Sequence, residues 1–477
     1  MGYVEGEAET YVLPLALAFG ERASQVQEEF PQDVVARLWG TSQEGLLYEA
    51  VGESSFHQAH LDSIAHRRHF KGNGGELIAK PTKVFRHIQC LMKPCLSSAI
   101  LKVEQSNTSI VFSDWFILKL LRRAEEGVNL DLEIGLFLTE ESSFVHSPPV
   151  AGALEYRPDH AQPITLGILH GFVPNQGDAW KYTLDVLGSF FETALATKAD
   201  LGPELVPQKT LVDLAMTEVP NLAQEMIGPY LESARLLGER TADLHAALAS
   251  NTTDPNFAPE PFSKLYQRSI YQSMRNLTAR TFQLMRSRLQ HLPERGLDLA
   301  KKVLELEEQV FASFHALLDS RIITTRIRVH GDFHLGQVLY TGKDFIIIDF
   351  EGEPARSLTE RRLKRSALKD VAGMLRSFHY AAYHTTYSRT VRPEDIYAVE
   401  QWANFWQLWV SAAYLKTYLD TAGPADFLPR ERGELQILLN AFCLEKAIYE
   451  LSYELNNRPE WVSIPLKGIL QLLKTPV

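Results

Sequence analysis

The spacing of apolar residues changes character twice along this chain, and the changes mark its parts. Up to about residue 92 no long window has helical periodicity; short strand-like runs stand at 10–19 and 45–51, between turn signals at Gly40-Thr41-Ser42 and Gly72-Asn73-Gly74-Gly75. A small β-rich cap is predicted there. Next comes a meander: a strand at 100–103, a turn at 104–107, a returning strand at 108–112 and a third strand leading to Leu121. Apolar residues at 130, 134, 137 and 138 predict a helix capped by Asn129, and residues 164–173 predict a buried strand running into a proline-containing connector. Beyond Trp180 the spacing is helical, notably over 222–248, 262–289, 297–318 and 445–458. The exception is 330–353, where Val338-Leu339-Tyr340 and Phe345-Ile346-Ile347-Ile348 flank a Thr341-Gly342-Lys343-Asp344 turn, a β-hairpin within the helical half. The expected fold class is α+β and bilobal, with a cap at 1–97, a β-rich N-lobe and hinge at 98–177, and a mainly helical C-lobe at 178–477.

Composition narrows the class. At 477 residues and 45% apolar content, the chain is long enough for two or three lobes with real cores. No run of eighteen apolar residues occurs, so no membrane-spanning helix is expected. The acidic start, MGYVEGEAET, lacks the basic region of a secretion signal, and a cytoplasmic location is expected. Cys90, Cys95 and Cys443 are odd in number and lack metal-ligand spacing, which argues against a disulfide frame or a zinc site. A net charge of -11 argues against nucleic acid as partner. Arg67-Arg68-His69 reads as a solvated charged face, and His245 as a packed histidine.

The hairpin stretch, HGDFHLGQVLYTGKDFIIIDFEGE, carries the chemistry. Phosphoryl transfer asks for positioning and charge neutralisation: one carboxylate to receive the acceptor hydroxyl proton, and an amide oxygen with a second carboxylate to hold Mg²⁺. Asp332 is the candidate base, and Gln337 and Asp349 are the metal ligands; the spacing resembles the protein-kinase catalytic loop with Gln for Asn and HGD for HRD. Upstream, Lys119 stands on the third meander strand and Glu133 in the following helix, in the order of the kinase lysine and glutamate that meet nucleotide phosphates. The turn with Ser106, Asn107 and Thr108 takes the place of a phosphate loop without a glycine; an ordinary hairpin turn is an equal reading. Backbone groups of Gly171, Phe172 and Val173 are the candidate adenine contacts. The basic run 356–366 reads either as a solvated turn or as cations that orient the acidic site. On the last long helix Tyr449 and Tyr453 lie four apart, as do Glu450 and Glu454. That face reads as packed tyrosines or as an aromatic and acidic sugar platform.

Together VEQSNTSIVF, FILKLLRR, DLEIGLFLTE, GFVPNQGDAW, HGDFHLGQVL, IDFEGEPARSLTERRLKRSALKDVAGMLRSFHYAA and AIYELSYELNNRPEWVSIPLKGIL resemble the bacterial maltokinase family, from about residue 98 onward. The resemblance implies the bilobal protein-kinase-like fold shared with aminoglycoside phosphotransferases, ATP and Mg²⁺ as cofactors, maltose as substrate, and a place in trehalose-to-α-glucan metabolism with trehalose synthase as a fused or separate partner. It implies Asp332 as base, Gln337 and Asp349 as metal ligands with Glu351 assisting, and Lys119 with Glu133 on the nucleotide side. For the sugar it implies the last helix, with Glu445, Lys446, Tyr449, Glu450, Tyr453, Asn457, Arg458 and Trp461 as candidates, joined by His330 beside the base. Residues 1–97 match that family only loosely, and two other readings stay open: another small-molecule kinase of the aminoglycoside-phosphotransferase-like group, and a non-catalytic kinase-fold partner of trehalose synthase.

Overall fold

The computed structural model describes residues 9–39, 44–91, 96–101, 107–197, 201–202, 205–388 and 396–474. The chain divides into two compact units, Met1–Glu141 with Ser147–Pro174, and Ser142–His146 with Asn175–Val477.

In the first unit, alternation of side chains along each strand sets the layers. A three-stranded sheet orders Leu15–Phe19, Glu44–Glu49 and Val34–Trp39. It buries Ala18, Leu46 and Tyr48 against Val26 of the helix Glu21–Glu29. A seven-stranded antiparallel sheet runs His69–Gly72, Gly75–Pro81, Val150–Pro158, Ile164–Gly171, Phe116–Leu120, Thr108–Phe112 and Ser98–Ile100. Ile110, Phe112, Phe116 and Leu118 on one face pack with Leu61, Ile64 and Phe85. Leu132 of the helix Leu130–Glu140 covers Val150, Ala153 and Ile168 on the other.

Two expectations for the N-terminal region change. Three helices, Glu21–Glu29, Ser54–Ala65 and Lys83–Gln89, interrupt the strands; at two to three turns each they are too short for a long-window period to register. The strands His69–Gly72 and Gly75–Pro81 also belong to the seven-stranded sheet, so the boundary expected at 97/98 runs through that sheet. The turn expected at Gly40-Thr41-Ser42 lies outside the described residues.

The second unit is a helical body. The helices Tyr230–Leu248 and Ile396–Ala422 meet closely at Gly238, where a Cβ would stand 2.3 Å from the Tyr414 carbonyl oxygen. Trp406, Trp409, Tyr414 and Tyr418 fill the interior around them. Further long helices are Ala179–Thr197, Lys264–Arg288, Leu368–Ser388, Arg432–Asn457 and Ser463–Lys474. The predicted hairpin is present, Val338–Tyr340 against Phe345–Ile347, with Val338 opposite Ile347. No helix among the described residues is long and apolar enough to cross a membrane.

Candidate active site

The loop that carries Asp332 is held by one buried carboxylate. Asp370, in the first turn of the helix Leu368–Ser388, accepts the backbone N–H of His330 at 2.7 Å and of Gly331 at 2.9 Å. Its Oδ2 lies 3.2 Å from His245 Nε2, and His245 Nδ1 meets the Tyr418 hydroxyl at 2.9 Å. Burial alone would raise the Asp370 carboxyl; hydrogen bonding and charge from His245 more than offset it, and its pKa lies below the ordinary carboxylate value. Gly331 has φ +88°, a backbone state that L side chains avoid, and a Cβ there would meet Gly352 Cα at 3.3 Å. That geometry accounts for glycine at the centre of HGD. Gly373 lets the supporting helix approach so closely that a Cβ would lie 2.5 Å from the Phe333 carbonyl oxygen.

Asp332 opens onto a cavity that it lines with Gly331, Glu353, Arg356, Lys369, Glu445, Lys446 and Tyr449. Each carboxylate in that lining has a cation beside it: Asp332 Oδ1 is 3.1 Å from Lys446 Nζ, Glu353 Oε2 is 2.5 Å from Arg356 Nε, and Glu445 Oε2 is 3.8 Å from Lys369 Nζ. Lys446 Nζ also lies 5.0 Å from the Tyr449 ring centre. Burial acts to raise the Asp332 carboxyl, but Lys446 and then His334, whose Nε2 is 3.9 Å away, hold it below the usual carboxylate range. Burial acts to lower the Lys446 ammonium, and Asp332 reverses this and raises it above the ordinary lysine value. At neutral pH the pair is ionised.

The hairpin positions the metal candidates. The Ile348 N–H donates to the Gln337 carbonyl at 3.0 Å, tying Gln337 to the residue before Asp349. Asp349 follows the strand with φ +68°, a conformation rare outside glycine, asparagine and aspartate and concentrated where function holds it. Arg361 Nη1 donates to the Glu351 carbonyl and its Nε to the Arg356 carbonyl, both at 3.1 Å, so the basic run does brace the acidic turn. Gln337, Asp349 and Glu351 offer oxygen donors only, a set that fits a hard divalent cation such as Mg²⁺.

In the first unit, Lys119 lies on an interior strand of the seven-stranded sheet, directly opposite Ile168 of the central strand, on the face covered by the helix Leu130–Glu140. Its Nζ meets Asp131 Oδ2 at 3.1 Å, and Asp131 is only 2% exposed.

Residues 227–352 match the model of the phosphotransferase enzyme family, a segment that contains Asp332, Gln337, Asp349 and Glu351. The chain is 24% identical over 379 residues to a glucosamine kinase of Streptacidiphilus jiangxiensis, covering 78% of this chain and 72% of that one. It is 22% identical over 372 residues to a glucosamine kinase of Mycolicibacterium smegmatis, covering 78% of each. A structure titled as glucosamine kinase with glucosamine, ADP and inorganic phosphate matches with TM-score 0.60 at 18% identity, over 97% of this chain and 94% of that one. Crystal form A of glucosamine kinase gives the same TM-score over 91% and 85%. The chain therefore has the kinase-like α+β fold, β-rich toward the N-terminus and helical toward the C-terminus.

The structure redistributes several expected site residues. Lys119 contacts Asp131, where Glu133 had been expected; Asp131 shares the inward face of its helix with Gly135 and Leu138, which the helical period could have exposed. Thr108 is the first residue of a strand, buried, with its hydroxyl accepting from Arg122 Nε at 2.8 Å, so it is not a free turn hydroxyl. Asn107 precedes that strand, and Ser106 lies outside the described residues. The Gly171 N–H donates to the Pro149 carbonyl and the Phe172 N–H to the Trp115 carbonyl, both at 2.8 Å, so neither donor is open to adenine; Val173 follows them.

His330 is fully buried, donating from Nε2 to the Ile348 carbonyl at 2.9 Å and accepting the Asp332 N–H at 3.4 Å; it shapes the loop and does not face the cavity. Of the sugar candidates, Glu445, Lys446 and Tyr449 line the Asp332 cavity. Glu450 is instead held by Arg376, itself 4% exposed, through Nη2 at 2.6 Å and Nε at 3.2 Å. Tyr453 is exposed beneath Arg458, which pairs with Glu454, and Asn457 Nδ2 donates to the Tyr453 carbonyl. Trp461 stacks on His384, ring centres 4.6 Å apart. Arg356, first of the basic run read as candidate orienting cations, lines the cavity, whereas Asp370 and Lys369 had not been singled out, because only the fold brings them to the loop.

Proposed function

We propose that this protein transfers the γ-phosphoryl group of ATP to a hydroxyl of a neutral sugar, with maltose, at its anomeric hydroxyl, as the acceptor. The observation that carries the sugar reading is the pairing in the cavity. Asp332, Glu353 and Glu445 each have a cation partner in Lys446, Arg356 and Lys369, so no carboxylate is left over for an acceptor ammonium. Paired charges of this kind offer hydroxyl groups both donors and acceptors, and the Tyr449 ring offers an apolar surface to a sugar face.

Asp332 would accept the acceptor proton as the new oxygen–phosphorus bond forms and the bond between the γ-phosphorus and the departing ADP oxygen breaks. Lys446, 3.1 Å away, holds the carboxylate ionised and oriented for that proton. Gln337, Asp349 and Glu351 would hold Mg²⁺, which supplies charge neutralisation of the phosphates when bound. Lys119, aligned by Asp131, is the nucleotide-side cation. The resemblance to maltokinases favours maltose, while the names of the relatives favour glucosamine as the second reading.

ADP release with ATP and Mg²⁺ across maltose, glucosamine, glucose, trehalose and kanamycin tests the assignment. Maltose should give a kcat/KM at least about tenfold above the others. Preferred turnover of glucosamine would overturn the acceptor and leave phosphoryl transfer standing.

A further inference from the structure

We propose that a second cavity in the helical unit binds a phosphorylated sugar, at a site separate from the Asp332 cavity. The helix Leu368–Ser388 presents Lys369 and Gly373 to the Asp332 cavity; further along it presents Arg376, His379 and Tyr383 to a cavity of ≈ 980 Å³. That volume lies within the range of small-molecule sites. Parts of the helices Ile396–Ala422 and Ser463–Lys474 complete the wall.

Its inner surface is a chain of hydrogen-bonding side chains. Gln471 Nε2 donates to the Tyr383 hydroxyl at 2.8 Å and to Asn404 Oδ1 at 3.2 Å, while Gln471 Oε1 lies 2.9 Å from His379 Nε2. Because that amide oxygen only accepts, His379 Nε2 carries the ring proton and Nδ1 is a bare acceptor. His379 is 2% exposed, and its Nδ1 has no hydrogen-bond partner among the described residues. Burial, with Arg376 nearby, holds the imidazole well below its ordinary pKa, so it stays neutral and cannot relieve the orphaned acceptor by protonation. The Tyr383 hydroxyl and the Asn404 and Gln471 amides belong to the cavity lining, and such groups can exchange hydrogen bonds with sugar hydroxyls.

The mouth has a different chemistry. Lys209, Lys302 and Lys474 are exposed there against Glu305, a positive surplus on a chain whose net charge is -11. Deeper in, Lys467 and Arg376 are already met by Glu400 and Glu450. The combination is an inner wall for hydroxyls with an outer rim for an anion, which is the layout of a sugar bearing a phosphate.

Calorimetric titration of the full chain without nucleotide tests this, using glucose 6-phosphate, glucose and inorganic phosphate as probes. The wild type should bind glucose 6-phosphate saturably, and glucose or phosphate at least about tenfold more weakly. Lys302→Glu, at the exposed mouth, and Asn404→Asp, on the inner wall, should each weaken glucose 6-phosphate binding by about tenfold, while Tyr449→Ala, in the other cavity, should leave it unchanged. Absence of saturable binding up to about 10 mM would overturn the proposal. So would phosphate binding as tightly as the sugar phosphate, wild-type affinity for glucose 6-phosphate in both cavity variants, or loss of binding in Tyr449→Ala.

Discussion

Replacing Lys446 by methionine keeps most of the side-chain volume and removes the charge that faces Asp332. At 3.1 Å, two unit charges in an effective dielectric near 20 attract by about 5 kcal/mol. Side chains that are 26% and 21% exposed lose part of this to solvent and to desolvation, leaving about 1–3 kcal/mol of net coupling. That corresponds to a fall of about 5- to 150-fold in acceptor-dependent kcat/KM. The pH profile should also move. The Asp332 carboxyl is depressed by Lys446, so without it the acid limb shifts to higher pH.

The stability change has a defined window. Asp332 is depressed in the folded state, so its contribution is present above the ordinary carboxylate pKa and is lost as pH falls through the folded value. Lys446 is raised, so its contribution is present below the ordinary lysine pKa and is lost as pH rises through the raised value. From about pH 5 to pH 10 the Lys446→Met deficit should be constant, and below about pH 4 it should shrink. Denaturant titrations at several pH values measure this beside the rate profile. An unmoved acid limb together with an unchanged midpoint at pH 7 would refute the coupling.

Three further outcomes follow from the supporting geometry. Asp370→Ala leaves the His330 and Gly331 N–H groups unpaired and should cost about 3 kcal/mol by denaturant titration, with turnover lost; Asp370→Asn should cost less, because the acceptor oxygen remains. Asp349→Ala should be about 1 kcal/mol less stable than Asp349→Gly because of the φ of +68°, while both abolish Mg²⁺-dependent turnover; equal stabilities would contradict the left-handed backbone. Arg376→Met strands Glu450 and should destabilise by about 3–5 kcal/mol, with most of it recovered in Arg376→Met/Glu450→Met. If Glu450→Gln instead raises the sugar KM at unchanged stability, Glu450 belongs to the acceptor site.

What was legible in the sequence was local. The hairpin from Val338 to Ile347 announces itself by two short apolar runs around a Thr-Gly-Lys-Asp turn, and Asn129 does cap its helix, accepting the Leu132 N–H. What stayed hidden depends on residues far apart in the chain. Lys446 reaches Asp332 across 114 positions, and His245 reaches Asp370 across 125. The tyrosines and acids of the helix Arg432–Asn457 look alike in sequence, and only packing separates Tyr449, at the cavity, from Glu450, on Arg376. His330 adjoins the base in sequence, yet its ring closes the loop from inside.

The most direct measurement is ADP release with ATP, Mg²⁺ and maltose by wild type and Asp332→Asn, alongside calorimetric binding of maltose to both. The predicted result is a fall of at least about a hundredfold in turnover, with sugar affinity within about threefold of wild type. Near-wild-type turnover in Asp332→Asn would contradict Asp332 as the base, and wild-type protein inert toward maltose would contradict maltose as the acceptor.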